Sequence, residues 1–268
     1  MNLLAFIYWK ANPEIFSIGP ISIRWYGLLF SLAFILGYQI MYWIYKTEGK
    51  TQKDLEVLTI SMIVGTVAGA RLGHCLFYEP VYYLSHPVEI LEVWKGGLAS
   101  HGAAIGIILS LWYYSRHRKN ISMLWILDRI VIVVALSGLF IRTGNFMNSE
   151  IIGKPSNVPW AVVFMQVDNI PRHPAQLYEA FCYFGIFIYL FFRYKKYKSA
   201  LPEGQLFGLF LILIFTARFL LEFLKKEQVS FESRLPLDMG QFLSIPFVII
   251  GIYFLHRSFN IKGKKKPG

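Results

Sequence analysis

Residues 121–153 read ISMLWILDRIVIVVALSGLFIRTGNFMNSEIIG. From Ile121 to Ile141 the run is apolar and long enough to cross a bilayer as a helix, which takes about 20 residues for about 30 Å of hydrocarbon. It then passes without a break into Arg142, Asn145, Asn148 and Glu150, with Gly144 and Gly153 among them. A charge beside hydrocarbon costs roughly 2.5–3.5 kcal/mol on insertion scales, so a chain keeps one there only with a partner or a task. The stretch predicts an all-α, polytopic membrane protein with a chemically active polar patch at one membrane face.

The rest of the chain has the same character. Its 268 residues are 55% hydrophobic and 17% aromatic, with mean hydropathy +0.46, too apolar for a soluble domain of that length. A window of about 19 residues finds spans near Trp25–Tyr45, Val57–Tyr78, Leu98–Tyr114, Ile121–Ile141, Gln176–Phe192, Gly204–Phe223 and Met239–Leu255. The net charge of +11 could suggest nucleic acid, but Lys and Arg fall in short blocks between apolar runs, which is a topology signal. No nucleic-acid partner is expected. Cys75 and Cys182 each lie inside an apolar run, so neither a disulfide framework nor a zinc site is indicated, and no metal or cofactor is expected. Met1 to Asn12 lacks a basic segment followed by an apolar one and a small-residue cleavage site, so the first span is expected to stay as an anchor.

Seven spans put the termini on opposite sides. The connections after spans one, three, five and seven carry Lys46, Lys50 and Lys53; Arg116, Arg118 and Lys119; Arg193, Lys195, Lys196 and Lys198; and Arg257, Lys262, Lys264, Lys265 and Lys266. The opposite side, although longer in total, holds only Lys10, Lys95, Lys154, Arg172, Lys225, Lys226 and Arg234. The positive-inside rule then faces the N-terminus outward and leaves the C-terminus in the cytoplasm. Tyr42, Trp43 and Tyr45, and Trp112, Tyr113 and Tyr114, read as interfacial anchors at inner edges, and Trp25 and Tyr26 at an outer edge. Gly65, Gly69 and Gly73 recur every four residues, lining one helix face for close packing against another helix. The organisation expected is one transmembrane domain over residues 1–268, with an outer-face segment at 142–175 and a basic cytoplasmic tail at 256–268.

With that orientation the unusual polar groups gather toward the outer side. Arg142 ends span four, Arg71 and His74 lie in the last turns of span two, His101 opens span three after Gly96-Gly97, and Tyr26 opens span one. Arg218 and Glu222 stand four apart near the outer end of span six, on one helical face. The segment from Arg142 to Ala175 adds Asn145, Asn148, Glu150, Lys154, Arg172 and His173, and loops of that length are commonly functional. Guanidinium forks match phosphate oxygens two at a time, which points to an anionic phospholipid headgroup. His101 is the side chain best suited to moving a proton near neutral pH. Asp128 and Arg129, adjacent near the inner end of span four, are expected to satisfy neighbouring spans. A transporter or flippase passing an anionic substrate is the rival reading; it predicts broken helices in two symmetric halves. A plain membrane scaffold leaves the outer polar cluster without a reason.

These residues bring the chain into resemblance with one family: over nearly its whole length it resembles prolipoprotein diacylglyceryl transferase. The signature is similar to Gly138 through Gly153, with Arg142, Gly144-Asn145-Phe146, Asn148, Glu150 and Gly153 in the family's spacing. Further matches are Arg24-Trp25-Tyr26-Gly27, Ala70-Arg71-Leu72-Gly73, Gly96-Gly97 with His101-Gly102, Arg172-His173-Pro174 with Gln176-Leu177-Tyr178-Glu179, Arg218-Phe219 with Glu222-Phe223, and Met239-Gly240-Gln241 with Ser244-Ile245-Pro246. Thr143 stands where the family has Leu or Ile, Ala103 where it has a second glycine after the histidine, and Ile214 where relatives often carry tyrosine. The resemblance implies a bacterial cell-membrane enzyme, working toward the outer face, that moves the diacylglyceryl group of phosphatidylglycerol to the thiol of a prolipoprotein lipobox cysteine. It implies Arg142 and Arg218 as phosphate binders and His101 as proton acceptor or positioning group. Tyr26, Arg71, Asn145, Asn148, Glu150, Gly153 and Glu222 would then form the lipid-binding set. The partners implied are phosphatidylglycerol and the lipobox peptide.

Overall fold

A computed structural model of the chain describes residues 6–19, 21–93, 96–118, 121–226 and 237–264. Lys95, Lys119, Arg234, Lys265 and Lys266, which enter the charge asymmetry, lie outside the described residues. The chain divides into two compact units, Tyr42–Ile126 and the remainder, Met1–Met41 with Leu127–Gly268.

In the first of these, α2 (Gln52–Phe77) starts at a capping box: Thr51 Oγ1 accepts from the Asp54 N–H at 3.1 Å, and an Asp54 carboxylate oxygen accepts from the Thr51 N–H at 3.3 Å. Its partner α4 (Ser100–His117) runs back antiparallel, so the Tyr114 hydroxyl reaches the Asp54 carbonyl at 2.9 Å. The glycine face expected on α2 is the seam. A Cβ on Gly69 would lie 2.4 Å from the Gly102 carbonyl oxygen, and one on Gly106 would lie 2.0 Å from that of Gly65. Between the two helices lie a short α3 (Pro80–Ser85) and a single 3-10 turn, Pro87–Leu91. Tyr45 and Tyr114 are buried rather than lipid-facing: Tyr45 packs edge-on to Trp125 at 5.2 Å. Tyr42, Trp112 and Tyr113 are exposed, as interfacial residues would be.

The second unit contains most of α1 (Trp25–Thr47) and α5 (Met123–Met147), together with α6 (Ala175–Tyr197), α7 (Gln205–Glu222) and α8 (Met239–Lys264). Helix α5 does not end at Arg142 but continues to Met147, and α8 continues past Leu255 to Lys264, so most of the expected tail is helical. At α7 the first-turn N–H groups lack intrahelical partners. The fully buried Asp128 of α5 supplies them, accepting from Gly204 N at 2.7 Å and Phe207 N at 2.8 Å. Asp128 thus satisfies a neighbouring helix, as its position suggests. Helices α7 and α8 close on bare backbone, where a Cβ on Gly251 would lie 2.9 Å from the Gly208 carbonyl oxygen.

Among the described residues five short strands modify the all-α expectation to a mostly helical fold. β1 (Ile7–Trp9) pairs parallel with β4 (Val162–Phe164), which pairs antiparallel with β5 (Pro171–Arg172); β2 (Glu14–Ile18) and β3 (Ile21–Arg24) form a hairpin. None is long enough to show an alternating pattern, and the first sheet joins segments far apart in sequence. Beneath it Phe146, Ile152, Val162 and Phe164 form a core with Trp9, Met147 and Leu177, the rings of Trp9 and Phe146 being 4.4 Å apart.

Among the described residues six helices, α1, α2, α5, α6, α7 and α8, are long and apolar enough to cross a membrane. Helix α4 covers the remaining expected span but is not among the six, because His101, Arg116 and His117 lie near its ends. The protein is a polytopic membrane protein.

Candidate functional site

The extension of α5 past Ile141 turns Arg142 from a span-end residue into one held inside a helix. From there its Nε lies 3.0 Å from Oε2 of Glu179, a fully buried carboxylate near the start of α6, and Nη1 donates to Asn145 Oδ1 at 3.4 Å. Asn145 Nδ2 donates at 3.3 Å to one oxygen of Glu150, and Asn148 Nδ2 donates at 3.1 Å to the other. Gln176 Nε2 donates to the Glu150 carbonyl at 2.6 Å. Glu150 therefore orients two amides, and one of them bears on Arg142.

A second branch begins at Glu179. Its other oxygen is 3.5 Å from Nζ of the buried Lys225, which donates to Glu222 at 2.9 Å. The Glu179 oxygens approach both cations at ion-pair distance without aligned hydrogen bonds. The chain Arg142–Glu179–Lys225–Glu222 alternates in sign and sums to zero. The Glu222 carboxylate rests on Gly240, where a Cβ would come within 2.5 Å of its carboxyl carbon.

Arg218 stands outside that chain. The i,i+4 pair with Glu222 that its spacing allows is not made, since Glu222 turns to Lys225. Among the described residues Arg218 has no ion-pair partner, and its Nε is buried without a hydrogen-bond acceptor. Arg142 and Arg218 both act electrostatically on Tyr183 of α6, which packs against Gly138 at the position a Cβ would fill. A buried guanidinium N–H without an acceptor is energetically expensive, so the arrangement favours an anion from outside the chain.

Tyr26 lies against α5 at Gly144, where a Cβ would be 2.7 Å from its ring. Gly153 sits so close to the His173 carbonyl oxygen, 2.3 Å from a built Cβ, that no other residue fits there. Between α5 and Gly153, Ser149 and Ile151 hold φ of 55° and 54°, strained for any non-glycine residue and most for a β-branched one. Beyond it, Arg172 Nε donates to Asp168 at 3.2 Å and holds that carboxyl below the usual aspartate range.

Arg71 and His101 belong to the other unit. The Arg71 guanidinium donates to the carbonyls of Glu89, Ile90, Gly96 and Gly97 at 2.6, 3.1, 2.7 and 3.4 Å, and it lies over the Tyr83 ring. It is committed to shaping the segment that leads into α4. His101 is exposed in the first turn of α4. The structure thus brings Tyr26, Arg142, Asn145, Asn148, Glu150, Gly153, Arg218 and Glu222 into one unit. Sequence reading gave no role to Lys225 or Tyr183, and it read Glu179 only as part of a motif. An acidic residue inside the apolar run of α6 was the available signal for Glu179.

Long apolar helices around a buried, sign-alternating ionic cluster define a polytopic membrane protein with a polar site among its helices. Residues 13–257 match the prolipoprotein diacylglyceryl transferase family. Proteins named phosphatidylglycerol–prolipoprotein diacylglyceryl transferase resemble the chain along almost its full length. The one from Tolumonas auensis is 48% identical over 96% of this chain and 100% of its own. That from Chloroherpeton thalassium is 50% identical over 96% of each, and that from Bacteroides fragilis is 48% identical over 99% and 98%. The chain belongs to the prolipoprotein diacylglyceryl transferase family.

Proposed function

We propose that this protein transfers the diacylglyceryl group of phosphatidylglycerol to the thiol of a prolipoprotein lipobox cysteine. A carbon–sulfur bond forms as the carbon–oxygen bond to phosphate breaks; the bonding pair stays on the phosphate oxygen, the thiol proton passes to a base, and glycerol phosphate leaves. The observation that carries the reading is Arg218, a guanidinium whose buried Nε has no acceptor, beside a chain of charges already paired with one another. The phosphodiester brings one negative charge and the departing phosphate gains a second, so charge stabilisation without a metal is what two arginines can give. Arg142 and Arg218 bind the phosphate. Asn145, Asn148 and Glu150 hold Arg142 and the headgroup, Glu222 fixes Lys225, Tyr26 meets the glycerol end of the lipid, and Gly153 keeps the strained turn closed.

A thiol with pKa about 8.5 is a poor nucleophile until deprotonated, and His101 is the proposed proton acceptor on the family resemblance. Arg71 serves by shaping the segment before α4. The His101→Asn variant is expected to lose most of its turnover while still binding lipid; full activity with a flat pH profile would remove His101 from the proton transfer.

The proposed setting is the bacterial cell membrane, with seven crossings and the site toward the outer face. Parity supports the seventh. β1 and β4 are hydrogen-bonded and so share one side of the membrane, which requires an even number of crossings between Trp9 and Val162. Helices α1, α2 and α5 make three, and α4 makes the count even. The deciding experiment incubates the purified chain with phosphatidylglycerol and a lipobox peptide and reads the peptide by mass spectrometry. A gain of one diacylglyceryl unit is expected. Lipid moved across vesicles with the peptide mass unchanged would favour the flippase reading instead.

A further inference from the structure

Glu179 is a carboxylate with no exposure, at the start of the apolar run of α6, between Arg142 of α5 and Lys225 just past the end of α7. Burying a carboxylate is costly unless it is paired, and its pairing here is asymmetric. It meets Arg142 at the Nε edge, while Lys225 takes the other oxygen and Glu222 balances Lys225. From this geometry we infer that Glu179 is a positioning residue for the transfer reaction: it clamps Arg142 from the Nε side, so that the guanidinium is oriented before substrate arrives. The inference rests on the reading of Arg142 as a phosphate ligand.

The physical reason is preorganisation. An arginine on a flexible stem must be ordered before its fork can face a phosphate, and donors fixed in advance stabilise developing charge without reorganising during the reaction. The other contacts of the guanidinium among the described residues are weaker: a 3.4 Å contact from Nη1 to Asn145 and one with the Tyr183 hydroxyl. Loss of the clamp should therefore be felt where the phosphate gains its second charge, in the chemical step more than in lipid binding.

The experiment compares wild type with Glu179→Gln and Glu179→Asp in membranes, measuring kcat and KM for phosphatidylglycerol with a lipobox peptide, and thermal unfolding in detergent. For Glu179→Gln, kcat is expected to fall about 30- to 100-fold, the scale of a misplaced catalytic group, with KM within about threefold. Glu179→Asp keeps the charge on a shorter stem and is expected to recover at least a tenth of wild-type kcat. A Gln variant that keeps wild-type kcat overturns the inference, as does a KM that rises as far as kcat falls. So does an Asp variant that folds yet is no better than Gln. Should Glu179→Gln fail to fold, Glu179→Asp decides: a partial kcat loss at unchanged KM supports the clamp, and unchanged kcat or complete inactivity overturns it. Absence of any transfer by wild type would count against the proposed function and not against the clamp.

Discussion

Arg142 and Arg218 carry the same group in different states: one is committed at its Nε edge to Glu179, the other keeps its buried Nε unpaired. The difference matters because a planar fork binds phosphate bidentately and an ammonium cannot. Arg218→Lys is therefore expected to keep the charge but lose the geometry, lowering kcat/KM by tenfold or more, with Arg218→Ala falling about 10²- to 10³-fold, the usual effect of removing one transition-state donor. Steady-state kinetics with labelled phosphatidylglycerol read this directly, and a lysine variant at wild-type efficiency would show that charge alone suffices. Most of this site was legible from residue type and spacing, because charged groups at the end of an apolar run are conspicuous. Lys225 was not, because it reads as one more loop cation until folding buries it against Glu179 and Glu222. Thr143, the departure within the signature, donates its hydroxyl to the Leu139 carbonyl at 2.8 Å inside its own helix. That local bond accounts for its compatibility with the motif.

At the scale of elements, the α2–α4 seam is the sharpest constraint. The atoms a Cβ on Gly69 would strike are backbone, so they cannot rotate away. Gly69→Ala should destabilise the protein by about 1–3 kcal/mol, the range for overpacking. Gly185→Ala, where nothing lies within 4 Å, should leave the thermal midpoint unchanged; equal effects would deny the seam its role. The spacing of three glycines was readable in advance, and so was the room that Gly102 and Gly106 leave for a ligand or a second helix; that the two sets face each other became visible only with the helices side by side. The β4–β5 turn carries a pH signature. Arg172 lowers the Asp168 carboxyl, so the pair contributes in full above the unfolded value of about 3.9 and loses its contribution as pH falls through the lowered folded value. The stability difference between wild type and Asp168→Asn should hold at neutral pH and shrink in acid below about pH 4, measured by thermal unfolding across pH. A constant difference would mean that the pair contributes through packing alone.

For the whole molecule, the proposed seven crossings together with the cation asymmetry would give one arrangement, C-terminus inside. A fluorescent-protein fusion after Gly268 is expected to fluoresce and an alkaline phosphatase fusion there to be inactive; the reverse pattern would overturn the orientation. The positions and order of the long helices were readable because hydropathy acts over some 20 residues at once. The strands were not, since two to five residues carry little pattern and pairing over long range leaves no local trace. That pairing has a consequence in time. The edge offered by β1 is made well before its partner: it binds residues 162–164, and the side-chain bond from Gln166 to Ala11 closes across 155 positions. At about 5–20 residues per second, β1 waits unpaired for roughly 8 to 30 seconds while the helices between it and β4 are made. During that interval the growing chain exposes the bare edge of the strand that carries Tyr8 and Trp9, a ready template for pairing with another chain.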